Sequence, residues 1–149
     1  MIKVLYITYE DLFRNPVLQS MVINPLSKIS KKYDVHFCII SSVKKTEKDE
    51  IYFKNKNTTK MMENIEVIEF QKTMTDKQSY FTFLKDIFPV IKKCLKIARN
   101  CDIIHCRAYG GAVIGYVICV ITGKPFIYDM RGVFPEETVD IGKITEKST

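Results

Sequence analysis

At 149 residues the chain holds one domain with a single core and is too short for two. Its 46% hydrophobic and 27% charged residues exclude a disordered or fibrous protein. The net charge of +6 comes from lysines scattered along the chain, mostly a solvated surface. Arginines interleaved with aromatics on one element are missing, which argues against a nucleic-acid partner.

The opening "MIKVLYITYEDLF" meets Glu10 and Asp11 after a short apolar run, so residues 2–8 read as a strand and not as a signal peptide. Asn15 is placed to cap a helix and Pro16 to occupy its first position. That helix runs to about Lys32, with Leu18, Val22, Leu26 and Ile29 on one face and a kink at Pro25. "DVHFCIISS" (34–42) reads as the second strand. Residues 43–64 are polar and mixed in charge, a surface excursion with room for one short helix and no assigned chemistry. "IEVIEF" (65–70) is the third strand.

From Tyr80 to Asn100 a second helix is expected, with Phe81, Leu84, Phe88, Ile91, Leu95 and Ala98 as its core stripe. "DIIHC" (102–106) and "PFIYDM" (125–130) are the last two strands. Between them "AYGGAVIGYVICVIT" reads as a buried helix, short of the roughly 20 residues that span a bilayer. Strands without alternation need cover on both faces. Together with the alternating helices they predict an α/β fold: a doubly wound, mostly parallel sheet in a Rossmann-like three-layer sandwich. The five cysteines, with no CxxC pair, read as reduced buried thiols of a cytosolic protein, without a metal site or a disulfide framework.

In such sheets ligands bind beyond the carboxyl ends of the strands, where the strand order reverses. The first loop, "TYEDLFRNPVLQS", lacks GxGxxG, which disfavours nicotinamide and flavin cofactors. Its Gln19 and Ser20 lie where side chains and free amides meet a sugar hydroxyl or phosphate. The second, "HCRAYGG", offers His105, an Arg107 able to grip a phosphate or carboxylate, and Tyr109 and Gly110 at a helix start. Gly110 and Gly111 permit either close backbone approach to a ligand or tight packing of helix on sheet. In the third, "YDMRGVFPEE", Asp129 and Arg131 share a face if the strand continues through them, and Glu136 and Glu137 can fold back over the strand ends. A carboxylate held against a guanidinium suits binding or base catalysis, and equally a structural ion pair.

"DIIHCRAY…GKPFIYDMRGVFPEE" together with "DLFRNPVLQSMV" resembles the N-terminal half of retaining family 4 glycosyltransferases, in the bacterial polysaccharide-making branch. The likeness lies in an H-x-R strand end followed by a strand ending in D-x-R-G with acids after it. In the first loop Asp11, Pro16, Ser20 and Val22 match the branch pattern, while Leu18 and Met21 stand where it often has glycine and glutamine. The resemblance implies one half of a GT-B architecture, with Asp129 and Arg131 as catalytic-site residues. Gln19, Ser20, His105, Arg107, Tyr109, Gly110, Glu136 and Glu137 would bind substrate. It implies no metal and no cofactor, because the nucleotide-sugar donor is a substrate held mainly by a second domain. That domain would be supplied in cis or by a separate chain in trans, and residues 1–149 alone are not expected to transfer sugar.

The acceptor implied is a glycan or lipid-linked sugar of cell-surface polysaccharide or glycolipid synthesis. The implied location is the cytoplasm, at the inner face of the cytoplasmic membrane, and a basic face suits peripheral association with anionic lipid. Two other readings are a non-catalytic binding module or partner subunit of a split enzyme, and a flavodoxin-like nucleotide-binding domain.

Overall fold

The computed structural model describes residues 1–12, 16–44, 60–62, 64–72 and 80–132; Asn15, Glu136 and Glu137 lie outside them. The strands are β1 (Ile2–Thr8), β2 (Val35–Lys44), β3 (Lys60–Met62), β4 (Ile65–Lys72), β5 (Ile103–Arg107) and β6 (Phe126–Asp129). They form one sheet in the order β3-β4-β2-β1-β5-β6. Five strands are parallel, and β3 pairs antiparallel to β4. From β1 the chain builds outward first through β2 and β4, then on the other side through β5 and β6. The order therefore reverses between β1 and β5.

The helical elements are α1 (Pro16–Leu18), a π-helical turn Gln19–Ile23, α2 (Asn24–Tyr33), α3 (Tyr80–Ala98) and α4 (Ala108–Thr122). One face of the sheet packs Val4, Tyr6, Phe37 and Ile39 against Leu12, Val22, Ile23 and Leu26. The other packs Leu5, Ile7, Ile40, Ile104 and Cys106 against Ile87, Val90 and Cys94 of α3 and Ile114 and Ile118 of α4. Each such aliphatic side chain contributes about 1.5–3 kcal/mol when fully buried. With helices on both faces, the parallel strands need no alternation, and the three-layer sandwich expected from the sequence is the one found.

Four local expectations are corrected. The first helix is interrupted by the π-helical turn. Its buried row then steps by four through Val22, Leu26 and Ser30, so Ile29 is exposed. Asp34, expected in β2, ends α2 with φ 53; the left-handed region suits a short polar side chain. On α3 the seam runs through Ile87, Val90, Cys94 and Ala98, which rotates Phe88 out to 72% exposure. Phe81 and Leu84 have side chains outside the described ones. Within 43–64, Lys60–Met62 is a short strand added antiparallel to the sheet edge.

All five cysteines are free thiols, four of them buried. Burial pushes Cys38, Cys94 and Cys106 up to about 12, so they act as small apolar side chains.

Candidate functional site

The carboxyl ends of β1, β5 and β6 bring Thr8, Arg107 and Asp129 into one row, since Thr8 pairs with Arg107 and Arg107 with Asp129. Side chains in register on parallel strands share a face, here the one also carrying Tyr6 and His105. Arg107 is 3% exposed. Its Nε donates to Glu10 Oε2 at 2.9 Å and its Nη1 to Asp129 Oδ2 at 3.1 Å. Both carboxylates keep 33% of their side-chain surface open. A buried guanidinium thus sits between two half-open carboxylates, a cluster with net charge −1.

Glu10 is held from both ends. Its N–H donates to Thr8 Oγ1 at 3.2 Å, and Thr8 Oγ1 donates to its Oε2 at 3.4 Å. Its carbonyl accepts from Ser41 Oγ at 3.0 Å and from the Ser42 N–H at 3.3 Å, while Ser41 Oγ also accepts from the Leu12 N–H at 3.2 Å. Two buried serines at the end of β2 therefore anchor the loop that presents the carboxylate. Burial acts on Arg107 to lower its pKa, but the hydrogen bond to Glu10 and the charges of Tyr6, Glu10 and Asp129 outweigh it, and the net direction is up. Tyr6 is pushed up to about 12, by burial first, with Asp129 and Glu10 adding and Arg107 opposing. Its ring meets His105 edge-on at 4.8 Å. Burial lowers the His105 pKa, partly offset by Asp129.

The strand-to-helix turn after Arg107 is abrupt. Arg107 is extended and Ala108 takes φ 57, a left-handed conformation costing a residue with a Cβ about 1–2 kcal/mol. Helix α4 then runs close under the sheet: a Cβ on Gly111 would lie 2.6 Å from the Ile7 carbonyl oxygen, and one on Gly115 would strike Cys106 Sγ and Phe126.

The structure brings together some of the residues singled out in the sequence and separates others. Asp129 and Arg107 are bonded to each other, with His105 beside them. Because β6 ends at Asp129, the condition for Arg131 to share its face is not met. Arg131 is exposed, and its Nη2 donates to Met21 Sδ at 3.1 Å, so the guanidinium partner of Asp129 is Arg107. That contact also sets the loop after β6 against the π-helical turn, where Gln19 is half-buried and Ser20 exposed. Ser20 Oγ donates back to the Val17 carbonyl at 2.8 Å. Tyr109 donates to the Gly132 carbonyl at 3.3 Å and packs edge-on to Tyr128 at 6.2 Å. Gly110 faces Tyr9, whose Cβ lies 2.7 Å from where a Cβ would stand. Sequence reasoning missed Glu10. Its signal was an acid two residues past the first strand, at the strand end facing Arg107 across the point where strand order reverses. Among the described residues no group of three or more His, Cys, Asp or Glu is arranged to hold a metal.

No family model matches the sequence, and no curated protein matches it. In three dimensions the chain is similar to the C-terminal domain of a hydrogenase from Pyrococcus furiosus, at 11% identity and a TM-score of 0.51, over 86% of this chain and 91% of that one. It is also similar to MurG from Acinetobacter baumannii, at 9% identity and a TM-score of 0.51, over 96% of this chain and 40% of that one. The fold is α/β and Rossmann-like. UDP-GlcNAc 2-epimerase from Methanocaldococcus jannaschii aligns at 10% identity and a TM-score of 0.49, over 89% of this chain and 32% of that one. The chain thus spans well under half the length of MurG and of the epimerase. At these identities the likeness establishes the fold and leaves the chemistry to the site.

Proposed function

We propose that this chain is the acceptor-side domain of a glycosyltransferase that moves a sugar from a nucleotide-sugar to a glycan or lipid-linked acceptor. The observation that carries the reading is the Arg107 guanidinium clamped between Glu10 and Asp129 where the strand order reverses, the ligand-binding position of a doubly wound sheet. The H-x-R and D-x-R-G strand ends and the fold shared with MurG support it. A hydrogenase domain shares the fold equally well, so fold alone does not choose.

Within this reading Arg107 is a positioning residue. Its Nε and Nη1 are taken up by two carboxylates of its own chain, and at 3% exposure the guanidinium presents little surface to a donor phosphate. What the cluster offers outward is carboxylate oxygen, which accepts hydrogen bonds from acceptor hydroxyls and orients one of them toward the anomeric carbon. Asp129 is the residue closest to that task. Arg131, exposed beyond β6, is the guanidinium that meets the departing phosphate. A nucleotide-sugar-binding domain, in the same polypeptide or in a separate chain, completes the enzyme.

The test is transfer from a panel of labelled nucleotide-sugars to glycan and lipid-linked acceptors by the intact natural enzyme and by its Asp129→Ala and Arg131→Ala variants. Each substitution should lower turnover by about a hundredfold, the scale of a lost transition-state contact. Unchanged turnover in both would overturn the site assignment. Tight binding of flavin by the isolated chain would overturn the class.

A further inference from the structure

The fifteen residues of helix α4, "AYGGAVIGYVICVIT", include no charge. A helix apolar on every side belongs in a buried position, yet only one side of α4 is covered. Gly111, Ile114, Gly115 and Ile118 are buried toward the sheet. Tyr109, Val113, Tyr116 and Val120 are 45% to 65% exposed, and at 3.6 residues per turn they fall on the opposite side of the helix.

The exposed residues are spaced by four, three and four, the a and d positions of a seam along which one helix packs on another. That spacing reads the same from either end. A second α4 laid antiparallel, with its midpoint between Ile114 and Gly115 over the same midpoint of the first, therefore sets Tyr109 opposite Val120 of the other copy and Val113 opposite Tyr116. Every facing pair joins a ring to a valine, the alternation of large and small that lets facing layers interdigitate. A parallel pair would instead set ring against ring and valine against valine.

Charge narrows the occupant in the same direction. The outer faces of the other long helices carry exposed cations, Lys28, Lys31 and Lys32 on α2 and Lys92, Lys96 and Arg99 on α3. Seating either of them on α4 would press unpaired charge against an apolar seam. A second α4 brings none, and antiparallel helices oppose their dipoles favourably.

We infer that α4 is the interface of a two-fold dimer of this chain, an isologous contact in which the two copies of the helix pack antiparallel, Tyr109 on Val120 and Val113 on Tyr116. The inference does not depend on the sugar-transfer reading. An antiparallel two-fold keeps α3 on the same side of the seam in both copies, so Lys92, Lys96 and Arg99 approach their own counterparts at the rim. A seam one helix long is also smaller than the roughly 800 Å² per partner of a standard interface. The dimer is accordingly a weak one, with a dissociation constant on the order of 10–100 µM, and it tightens as salt screens the rim.

Sedimentation equilibrium of the intact protein over a range of concentrations and salt provides the test. Tyr116→Val, which leaves valine against valine, and Val113→Tyr, which drives ring against ring, should each weaken the dimer about tenfold. The protein carrying both changes has ring and valine exchanged, and its dimer should return to within about threefold of the parent. Both side chains are exposed, so the melting temperature of the dilute monomer should not move. The inference fails if the parent is a monomer at about ten times the expected dissociation constant, if it dimerises while both single variants dimerise as it does, or if the exchange fails to restore a dimer that each single change weakens. It also fails if the chain stays monomeric and instead sediments with lipid vesicles through the same two residues.

Discussion

At the carboxyl edge of the sheet, Arg107 is bonded to both Glu10 and Asp129, and Glu10 is fixed from behind by Thr8 and Ser41. At the amino edge, an opening of about 420 Å³ is lined by Lys3, His36, Glu66 and Lys96 together with Cys38 and Ile68, and these four polar side chains form no ion pair with one another. Both edges contain charge, but only the carboxyl edge has removed a charge from water and then satisfied it. Isolating a guanidinium costs several kcal/mol unless its partners are correctly placed. Such an arrangement is therefore specified residue by residue, whereas a cavity between exposed lysines is what remains where a helix ends. Organisation, more than volume, marks the site.

The comparison is broken most directly at Arg107. Arg107→Met should cost about 2–3 kcal/mol of unfolding free energy, because two carboxylates lose the cation between them; their one-third exposure keeps the cost at the low end. Urea denaturation at neutral pH reads it. A loss under about 0.5 kcal/mol, the range of an ordinary surface change, would make the two edges equivalent. Next in size is Gly111→Ala, which forces a Cβ against the Ile7 carbonyl and should cost about 2 kcal/mol as α4 is levered off the carboxyl edge. Backbone on the sheet cannot yield as a side chain would, and an unchanged melting temperature would contradict the close approach.

Much of the fold was legible because burial on both faces leaves a direct mark. Five apolar runs gave the five parallel strands, and their alternation with helices gave the layers. What escaped was rotation and pairing. The expected stripe on α3 included Phe88, and a shift of one position along the helix exposes it; periodicity fixes a spacing more firmly than a phase. Strand β3 was invisible because three residues, Lys60–Met62, pair at an edge where no burial pattern is imposed. In the site, Asp129 and Arg107 were both noted, but the bond between them crosses from β5 to β6. Linear proximity suggested Arg131 instead. Glu10 was overlooked because an acid in a loop looks like a solvated one until the serines of β2 are seen to hold it.

Ala108→Gly should act in the opposite direction, raising stability by up to about 1 kcal/mol, since glycine adopts φ 57 without the Cβ penalty. Part of the gain is offset by glycine's freedom in the unfolded chain. Calorimetry would detect it, and a destabilised variant would mean that the turn is not strained. A smaller effect comes from His105, whose pKa is lowered from 6.5, first by burial. The unfolded chain then takes up the proton before the folded one. The contribution is full above the unfolded pKa and is lost as pH falls below about 6.5. His105→Gln should flatten that acid-side decline, as measured by denaturation at neutral pH and about one unit below 6.5; a decline of equal slope would remove His105 as its source.

The smallest change is expected at the amino edge, and it completes the comparison. Lys3 is exposed and Glu66 half-buried, and each borders open cavity and not a buried partner. Lys3→Ser and Glu66→Gln leave the Lys3 N–H bonded to Asp102 Oδ2 at 2.8 Å, because that donor is backbone. They also strand no buried charge, so each should fall within about 0.5 kcal/mol of the parent protein. Measured beside Arg107→Met under the same conditions, these variants separate a charge that is merely present from one the fold is built around. A cost at Glu66 approaching that at Arg107 would mean the amino-edge cavity is held open by a charge network of its own, and the contrast between the two edges would not stand.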